Sequence, residues 1–398
     1  MQIEDLTKTR QIESEFNSMM SRMGHVFAGE PGFRTCQKYI QGLMGPAERK
    51  NGWQLSESQG AATPYETRQF LYRGRFKADD IRDVPRDYVA ERLGGEDGVM
   101  LVDETGFLKQ GDKSCGVKRQ YSGTAGRKEN CQIGVFPTYA SSRGHSPTDR
   151  RLYIPKEWME DKGRRKKAGI PEGLEFKTKP GMALEMIGEA TAAGVPYKWV
   201  TGDCVYGDYT EIRRLLEENR KCHVMGVSGK AYVWRGHRQE SVSGILRNLP
   251  PEGWFEESCG IGSKGGRTYD WLMTAINPGA TEGFKRSLLI RRGKNKRDKL
   301  KAYICFAPEG TPVKELVETA GTRWTVETCF KESKSEVGLD QYEVRSYDGW
   351  NKHIILACVA LAFLAVLSGE SLDGKSMRQH NPAAKSLEGF KKGRNLRV

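Results

Sequence analysis

Three acidic residues in separate parts of the chain have the chemistry needed to hold divalent metal ions against a phosphodiester. Asp103 follows the apolar run at 99–102, Asp203 follows the run at 199–202, and Glu327 stands in a later amphipathic stretch. Carboxylates are hard oxygen ligands that favour two Mg²⁺ ions, with Mn²⁺ as a substitute. Such a pair of ions assists in-line displacement at phosphorus, because one ion activates the attacking oxygen and the other stabilises the leaving oxygen.

Two basic residues flank the third carboxylate. Arg323, Glu327 and Lys334 stand at i, i+4 and i+11, and a helix of 3.6 residues per turn projects them from nearly one face. Thr322 is predicted to cap this helix, and the cations would then face developing negative charge. When the spacing is taken alone, an exposed helix with an ordinary Arg/Glu pair is the favoured explanation. The core-facing residues are predicted to be Trp324, Val326 and Phe330.

The elements that must position these residues change in character along the chain. Up to about residue 95 the pattern is helical, and after it short apolar runs alternate with helical stretches. This alternation predicts an α/β sheet with helices on its faces. Asp103 and Asp203 are each predicted to end a strand, where ligands of such sheets bind. Strands are predicted at 99–102, 132–136, 152–154, 198–201 and 303–306, with a helix at 180–193.

Several motifs resemble those of DDE transposases encoded by bacterial insertion sequences. Arg323-x3-Glu327-x6-Lys334 is similar to their signature Tyr-x2-Arg-x3-Glu-x6-Lys, with Ala320 in place of the tyrosine. Cys204, after the second aspartate, is a further departure. Four other segments resemble one group of that superfamily, the group numbered seven hundred and one, and follow in the family's order. They are Val-Asp-Glu-Thr-Gly-Phe at 102–107, Arg-Gln-Tyr-Ser-Gly-Thr-Ala-Gly at 119–126, Thr-Gly-Asp-Cys-Val-Tyr-Gly at 201–207, and Val-Gly-Leu-Asp-Gln-Tyr-Glu-Val-Arg at 337–345.

The resemblance implies a fold, a site and a reaction. The fold is a ribonuclease H-like core, and the catalytic residues are Asp103, Asp203, Glu327, Arg323 and Lys334, with the three carboxylates as metal ligands. The substrate is the terminal inverted repeats of a mobile element, cut out through hairpinned ends and joined into target DNA by a homodimer without a nucleotide cofactor. A transposase-derived DNA-binding protein that no longer cuts, and a structure-specific endonuclease of the same fold, are the alternatives.

The predicted organisation has five parts. A helical DNA-binding domain covers residues 1–95, and a first part of the catalytic core covers 96–222. A β-rich insertion covers 223–302, as in transposases related to the insertion-sequence group four, and the core resumes at 303–369. Residues 370–398 are predicted to form a basic mobile tail.

The charge balance predicts a polyanionic partner. The chain has 64 Lys and Arg against 51 Asp and Glu, a formal charge of +13, which favours DNA or RNA first and an acidic membrane surface second. In related enzymes a tryptophan of the insertion stacks on a flipped base, so Trp234 and Trp254 are candidates, although core packing is the favoured explanation for these two and for Trp271. Solvated loops and a plain hairpin turn are the alternatives for the basic candidates, which are Arg119, Arg127, Lys128, Arg291, Arg292, Lys294, Lys296 and Arg297.

Cysteine usage and hydropathy predict the compartment. The nine cysteines are scattered and include no Cys-x2-Cys pair, which fits a reducing cytoplasm and, for a DNA enzyme, association with the nucleoid. The longest apolar run, at 354–367, is shorter than the roughly twenty residues that span a bilayer. It is therefore predicted to be a buried helix, and no membrane partner is expected.

Overall fold

The computed structural model describes residues 3–262, 265–277, 279, 281–294 and 299–373. Lys296, Arg297 and most of the predicted basic tail, from residue 374 on, lie outside the described residues. Five helices come first, as the sequence predicted, and two 3₁₀ turns at Gly24–Val26 and Ala78–Ile81 separate some of them. The helices are α1 (Ile3–Ser21), α2 (Glu30–Met44), α3 (Gly52–Ser58), α4 (Tyr65–Arg73) and α5 (Asp83–Leu93).

Thirteen strands are present in the described chain, and eleven of them form one mixed sheet. They are β1 (Val99–Leu108), β2 (Lys118–Ser122), β3 (Arg127–Ser141), β4 (Gly144–Pro147), β5 (Arg151–Tyr153), β6 (Trp199–Gly202), β7 (Cys222–Val227), β8 (Tyr232–Arg235), β9 (Arg238–Ser241), β10 (Phe255–Gly262), β11 (Gly265–Ala275), β12 (Phe284–Arg292) and β13 (Leu300–Pro308). The order is β10-β11-β12-β13-β7-β6-β1-β3-β2, with β4 and β5 also paired to β3. Strands β8 and β9 form a separate ribbon.

The centre of the sheet has the connectivity of a crossover fold. Strands β1, β6 and β7 are parallel, and β3 runs antiparallel to β1. Parallel neighbours need a crossover, which here contains a helix each time. The remaining helices are α6 (Lys156–Glu160), α7 (Lys162–Ala168), α8 (Lys179–Ala192), α9 (Cys204–Gly207), α10 (Thr210–Glu218), α11 (Val242–Arg247), α12 (Val313–Thr322), α13 (Trp324–Val337) and α14 (Tyr347–Asp373).

Most of the predicted β-rich insertion extends the central sheet, while β8 and β9 form a ribbon of their own. Strand β7 pairs with β6 on one side and with β13 on the other, and β12, β11 and β10 continue outward. Strand β7 therefore belongs to the core, although the sequence analysis counted most of it in the insertion. An exposed β7 edge would leave backbone N–H and C=O groups unpaired, and the returning β13 satisfies them.

Helix α14 forms the centre of the hydrophobic core. Its segment Tyr347–Gly369 is long and apolar enough to cross a membrane, yet 83% of its most apolar window is buried within the fold. It packs against α2, α5 and β4, which joins the N-terminal helices to the sheet. The predicted buried helix is confirmed, and it also accounts for the first four residues assigned to the tail, 370–373, which are helical.

Candidate active site

The two aspartates occupy matching positions on neighbouring parallel strands. Val102 of β1 is in register with Gly202 of β6, and an aspartate follows each of them. Asp203 caps α9, and its Oδ1 accepts a hydrogen bond from the Val205 N–H at 2.9 Å. Asp103 does not end its strand, contrary to the prediction, because β1 continues to Leu108 on its partner β3. Only the pairing of β1 with β6 ends there.

Arg323 lies against this aspartate pair. Its Nη1 donates to Asp103 Oδ2 at 3.2 Å, and the two side chains are 26% and 17% exposed. Thr322 does not cap the following helix, since α12 ends at Thr322 and its hydroxyl donates to the Glu318 carbonyl. Arg323 has helical backbone angles and joins α12 directly to α13. An N-cap residue needs extended backbone angles, so Thr322 does not cap α13 as predicted.

Helix α13 packs much as its sequence predicts. Val326 and Phe330 are buried, as expected of residues that face the core. Trp324 is 43% exposed, contrary to the prediction, and the Arg267 guanidinium lies 5.5 Å from its ring centre. Val326 in the same turn is fully buried, so Trp324 lies on the side of the helix that faces away from the core.

Burial makes the aspartate pair costly to ionise. It raises the pKa of Asp103 to about 7, against the lowering effect of Arg323, and the charges of Asp203 and Glu104 raise it further. Burial also raises the pKa of Asp203, which Arg323 again opposes. Carboxylates crowded in this way are stabilised by a cation between them. The Arg323 guanidinium supplies part of that positive charge.

Lys334 and Glu327 differ in how closely they approach the aspartates. The Lys334 ammonium donates to the Gly106 carbonyl at 3.1 Å and to the Thr124 hydroxyl at 2.8 Å, so it contacts β1, the strand that carries Asp103. Glu327 is exposed on α13 and interacts electrostatically with Lys301. Within the described ranges no three acidic, His or Cys side chains are grouped closely enough to hold a metal ion. Glu327 is thus not gathered with the two aspartates in this conformation.

A polar network behind the aspartates was not identified from the sequence. Glu104 Oε1 accepts from the Lys179 ammonium and Oε2 from the Tyr206 hydroxyl, both at 2.5 Å. Tyr206 is buried in α9, three residues after Asp203. Glu104 therefore ties α8 and α9 to β1 on either side of the two aspartates. Its place directly after Asp103 was the available signal, but an acidic neighbour in a strand normally points to the other face.

Lys301 is a second residue that the sequence analysis did not single out in the site. It lies within electrostatic range of Arg291, Arg323, Glu327 and Cys204, and desolvation together with the two arginines lowers its pKa. Strand β13 places it there, opposite Arg291 of β12. The extension of the sheet thus contributes cations to the face on which Arg323 lies.

Three predicted DNA-contacting residues lie together on one hairpin. Strands β2 and β3 pair Arg119 with Asn130 and Ser122 with Arg127, and the glycine-rich segment forms the turn between them. Arg119, Arg127 and Lys128 are all exposed. The turn residue Thr124 accepts a hydrogen bond from Lys334, so this basic hairpin is joined to the site.

The predicted basic residues of β12 lie on opposite faces of the sheet. The Arg291 guanidinium lies 4.3 Å from the Tyr269 ring centre, on the face that carries Lys301. Arg292 donates to Asp270 at 3.2 Å and stacks 3.9 Å from the Trp254 ring on the other face. Lys294 forms an ion pair with Glu256.

The three tryptophans of the sheet extension have different environments. Trp271 is fully buried, as core packing requires. Trp254 is half-buried beneath Arg292, and its Nε1 donates to the Pro250 carbonyl at 3.0 Å. Trp234 is 52% exposed on the β8–β9 ribbon, beside Tyr232 at 60%, so core packing does not explain it.

The oxygen atoms around Arg323 suit a hard divalent cation. Asp103 and Asp203 offer carboxylates on two rigid strand positions, and burial raises the cost of leaving them uncompensated. Each has one oxygen engaged by a backbone N–H, from Glu104 and Val205. The second oxygen of Asp103 is bound only by an exchangeable arginine contact.

Comparison with protein families agrees with this geometry. The model of the DDE superfamily endonucleases matches residues 28–249, more than half of the chain. The chain belongs to this family. The transposase DDE domain model matches residues 183–363. A curated relative, the probable transposase for insertion sequence element IS701 of Microchaete diplosiphon, is 24% identical over 321 residues, which cover 78% of this chain and 77% of the relative.

The predicted resemblance to DDE transposases is therefore confirmed, and this DDE enzyme is similar to the transposase of element IS701. The family implies a ribonuclease H-like core, and the central strands β3, β1, β6 and β7 form the mixed sheet expected of one. Enzymes of this type use divalent metal ions. The family matches also span the helical N-terminal segment from residue 28 and the sheet extension.

Proposed function

We propose that this DDE enzyme binds the terminal inverted repeats of an insertion sequence, cleaves the DNA at those ends and joins them to target DNA. The observation that carries the proposal is the meeting of Asp103 and Asp203 beside Arg323, from strands about one hundred residues apart in sequence. Two part-buried carboxylates beside a cation are suited to hold metal at a phosphodiester and to stabilise the charge that develops there.

We assign Asp103, Asp203 and Glu327 as the ligands of two Mg²⁺ ions, which Mn²⁺ can replace. When bound, these ions supply Lewis acidity to the attacking and leaving oxygens of the phosphodiester. Glu327 has to approach the aspartates for this, and it lies on the helix that begins beside Arg323. Its exposure leaves its carboxylate accessible for that approach.

The basic residues of the site have separate tasks in this proposal. Arg323 orients Asp103 and faces the charge that develops on phosphorus. Lys334 fixes α13 to β1 through the Gly106 carbonyl, and it holds the turn at Thr124 in place. Its ammonium also faces the adjacent DNA strand. Arg119, Arg127 and Lys128 then contact phosphates along the same hairpin.

The remaining elements supply DNA positioning. We propose that residues 1–95 form a DNA-binding unit, that Arg291 and Lys301 contact the strand near the site, and that Trp234 stacks on a base. The pairing of Arg292 with Asp270 and Trp254 favours a structural task for Arg292 and Trp254. We further propose a homodimer on DNA, cut-and-paste transposition and a cytoplasmic, nucleoid-associated enzyme.

The test is strand cleavage and joining on a labelled duplex that carries the element's terminal repeat, in the presence of Mg²⁺. The enzyme is compared with Asp103→Ala, Asp203→Ala and Glu327→Ala. Glu318→Ala is a matched control, because Glu318 is an exposed helical glutamate paired only loosely with Lys314. We expect metal-dependent cleavage and joining by the enzyme and the control, and loss of both reactions in the three variants.

Other outcomes have definite meanings. Cleavage that persists in a variant shows that its residue is not a required ligand. Cleavage of branched DNA without joining of terminal repeats identifies a structure-specific endonuclease of the same fold instead. Binding of the repeats without cleavage, under any divalent metal, overturns the catalytic part of the proposal.

A further inference from the structure

A cavity lies between the N-terminal helices and the segment that follows α13. It has a volume of about 340 Å³ and is lined by residues of α2, α4 and 342–345. This volume falls at the lower end of the roughly 300–1,000 Å³ typical of small-ligand pockets. We call it the tyrosine cavity, after Tyr39, Tyr72 and Tyr342 in its lining. The 337–345 motif contributes to it, and the catalytic assignment leaves that motif unexplained.

The floor of the tyrosine cavity is rigid and aromatic. Tyr39 and Tyr342 are buried, and their hydroxyls bond to His353 Nδ1 and Gln132 Oε1, both at 2.7 Å. The polar atoms of these two rings are therefore already engaged. The floor therefore contributes shape to the cavity and leaves ligand contacts to the rim.

The rim of the tyrosine cavity is charged and accessible. Arg68 of α4 and Arg345 stand at the rim with Tyr72, which is 46% exposed. Arg68 and Glu343 form an ion pair at 3.5 Å whose side chains are 51% and 49% exposed. A pair so long and so solvated is weak, so the guanidinium can exchange the carboxylate for a phosphate. Glu343 can then accept a hydrogen bond from an amino group of a base.

The tyrosine cavity is joined to the helix that carries Glu327 and Lys334. That helix ends at Gly338, whose left-handed backbone (φ 63°) a β-carbon would strain, and which packs against the Lys50 side chain. The Lys50 N–H in turn donates to Gln341 Oε1 at 2.5 Å. A ligand held between α4 and 342–345 is thereby placed next to the end of α13.

We propose that the tyrosine cavity binds one unpaired nucleotide of the DNA strand, with its base on Tyr72 and its flanking phosphates on Arg68 and Arg345. A cavity of this size admits a single base but no duplex, so the nucleotide must leave the stack. Aromatic stacking combined with backbone cations is the usual chemistry of single-strand binding. The proposal rests on the proposed function, because it takes DNA as the ligand.

The test measures binding of the full-length protein to fluorescein-labelled oligothymidylate and to its duplex with oligoadenylate. Loss of one stacked base costs about 1–3 kcal/mol, so Tyr72→Ala should weaken single-strand binding about 5- to 150-fold. Tyr72→Phe should bind as the unmodified protein does, since it keeps the ring. Tyr65→Ala is the matched control, because Tyr65 is 66% exposed on the same helix but does not line the cavity.

Two further measurements locate the nucleotide. An oligonucleotide with one 5-iododeoxyuridine should photocrosslink to the peptide that contains Tyr72. Arg68→Ala and Arg345→Ala should each reduce the slope of log affinity against log salt by about 0.7, the value for one phosphate contact on a single strand.

The proposal is overturned if Tyr65→Ala weakens binding as much as Tyr72→Ala, or if duplex binding falls equally, because either result indicates a general surface effect. If thymidine monophosphate, added before irradiation at equal nucleotide concentration, prevents the crosslink, the ligand is a free nucleotide and the proposal is also overturned. Cleavage of terminal repeats tests the proposed function separately. If Tyr72→Ala leaves single-strand binding unchanged while cleavage still requires Asp103, the cavity assignment fails and the catalytic one stands.

Discussion

Arg323 donates a 3.2 Å hydrogen bond to Asp103 across 220 residues of sequence. The arginine belongs to the junction of α12 and α13, and the aspartate belongs to β1, between β6 and β3 in the sheet. The guanidinium thus lies where a divalent cation would act on the same carboxylate. Removal of the Arg323 guanidinium should slow cleavage and at the same time strengthen Mg²⁺ binding, and these two effects can be measured separately.

Arg323→Ala should slow DNA cleavage about 10²–10³-fold, the usual effect of removing one donor aimed at developing charge. It should also lower the half-saturating Mg²⁺ concentration, because a competing cation leaves the carboxylates. Cleavage rates over a Mg²⁺ titration measure both quantities, with exposed Arg214→Ala as the control. A raised Mg²⁺ requirement would show that Arg323 organises the ligands and does not compete for them.

The raised pKa of Asp103 predicts a specific dependence of stability on pH. The folded-state pKa is about 7, whereas an unfolded aspartate titrates near 3.9. Between these values the folded state binds the additional proton, so the free energy of unfolding should fall as pH rises through this window. The decrease is about 4 kcal/mol at most, at about 1.4 kcal/mol per pKa unit.

Asp103→Asn should remove this decrease and melt at a higher temperature than the unmodified protein at pH 8. Thermal melts in the presence of EDTA between pH 4.5 and 8, compared at each pH, measure the effect. If the two proteins show parallel profiles, the Asp103 carboxyl does not titrate in this window.

The Glu104 network should contribute to stability. Glu104→Gln weakens a charge-assisted bond to Lys179 between side chains that are 20% and 27% exposed, so it should cost about 1–2 kcal/mol of unfolding free energy. The same substitution at Glu185, whose pair with Lys177 is 41% exposed on both sides, should cost less than about 0.5 kcal/mol. Urea denaturation with a Glu104/Lys179 double-mutant cycle measures the coupling. A coupling energy near zero would show that the ion pair with Lys179 does not contribute to the stabilising effect of Glu104.

Trp271 and Trp234 should separate stability from DNA binding. Trp271→Ala empties a fully buried site and should cost about 3–5 kcal/mol. Trp234→Ala removes a half-exposed ring, so it should change stability little and weaken DNA binding by about 1–3 kcal/mol if the ring stacks on a base. Denaturation and electrophoretic binding assays on the same samples test this. Unchanged DNA affinity of Trp234→Ala would exclude the stacking.

The β2–β3 hairpin should provide phosphate contacts. Replacing Arg119, Arg127 and Lys128 together by alanine should reduce the slope of log affinity against log salt for duplex DNA by about 0.9 per lost contact, up to about 2.7. Lys314→Ala is the control for a general loss of charge, because the Lys314 side chain is exposed on α12. An unchanged slope would show that the hairpin faces solvent in the complex.

Local patterns were enough to predict several elements. The helix at 180–193 and the strand at 198–201 agree with Lys179–Ala192 and Trp199–Gly202 to within one residue. These segments carry clear hydrophobic periodicity between strong boundary signals. The end of β1 was misjudged because polar Asp103 and Glu104 interrupt the apolar run, while pairing with β3 continues regardless. The helix start at Thr322 was misjudged because two helices abut, and a threonine before a helical pattern has the same sequence signature either way.

The sequence by itself determined the family, the alternation of helices and strands, and the three acidic residues in their motifs, because these depend on residue types and short spacings. Tertiary structure decided which of them meet. Register between β1 and β6 brings Asp103 and Asp203 together, and sheet extension through β13 adds Lys301 beside Arg323. It also placed Glu104 in a network with Lys179 and Tyr206, and left Glu327 outside the aspartate pair. Such contacts depend on strand order and helix packing over hundreds of residues, which no local pattern specifies.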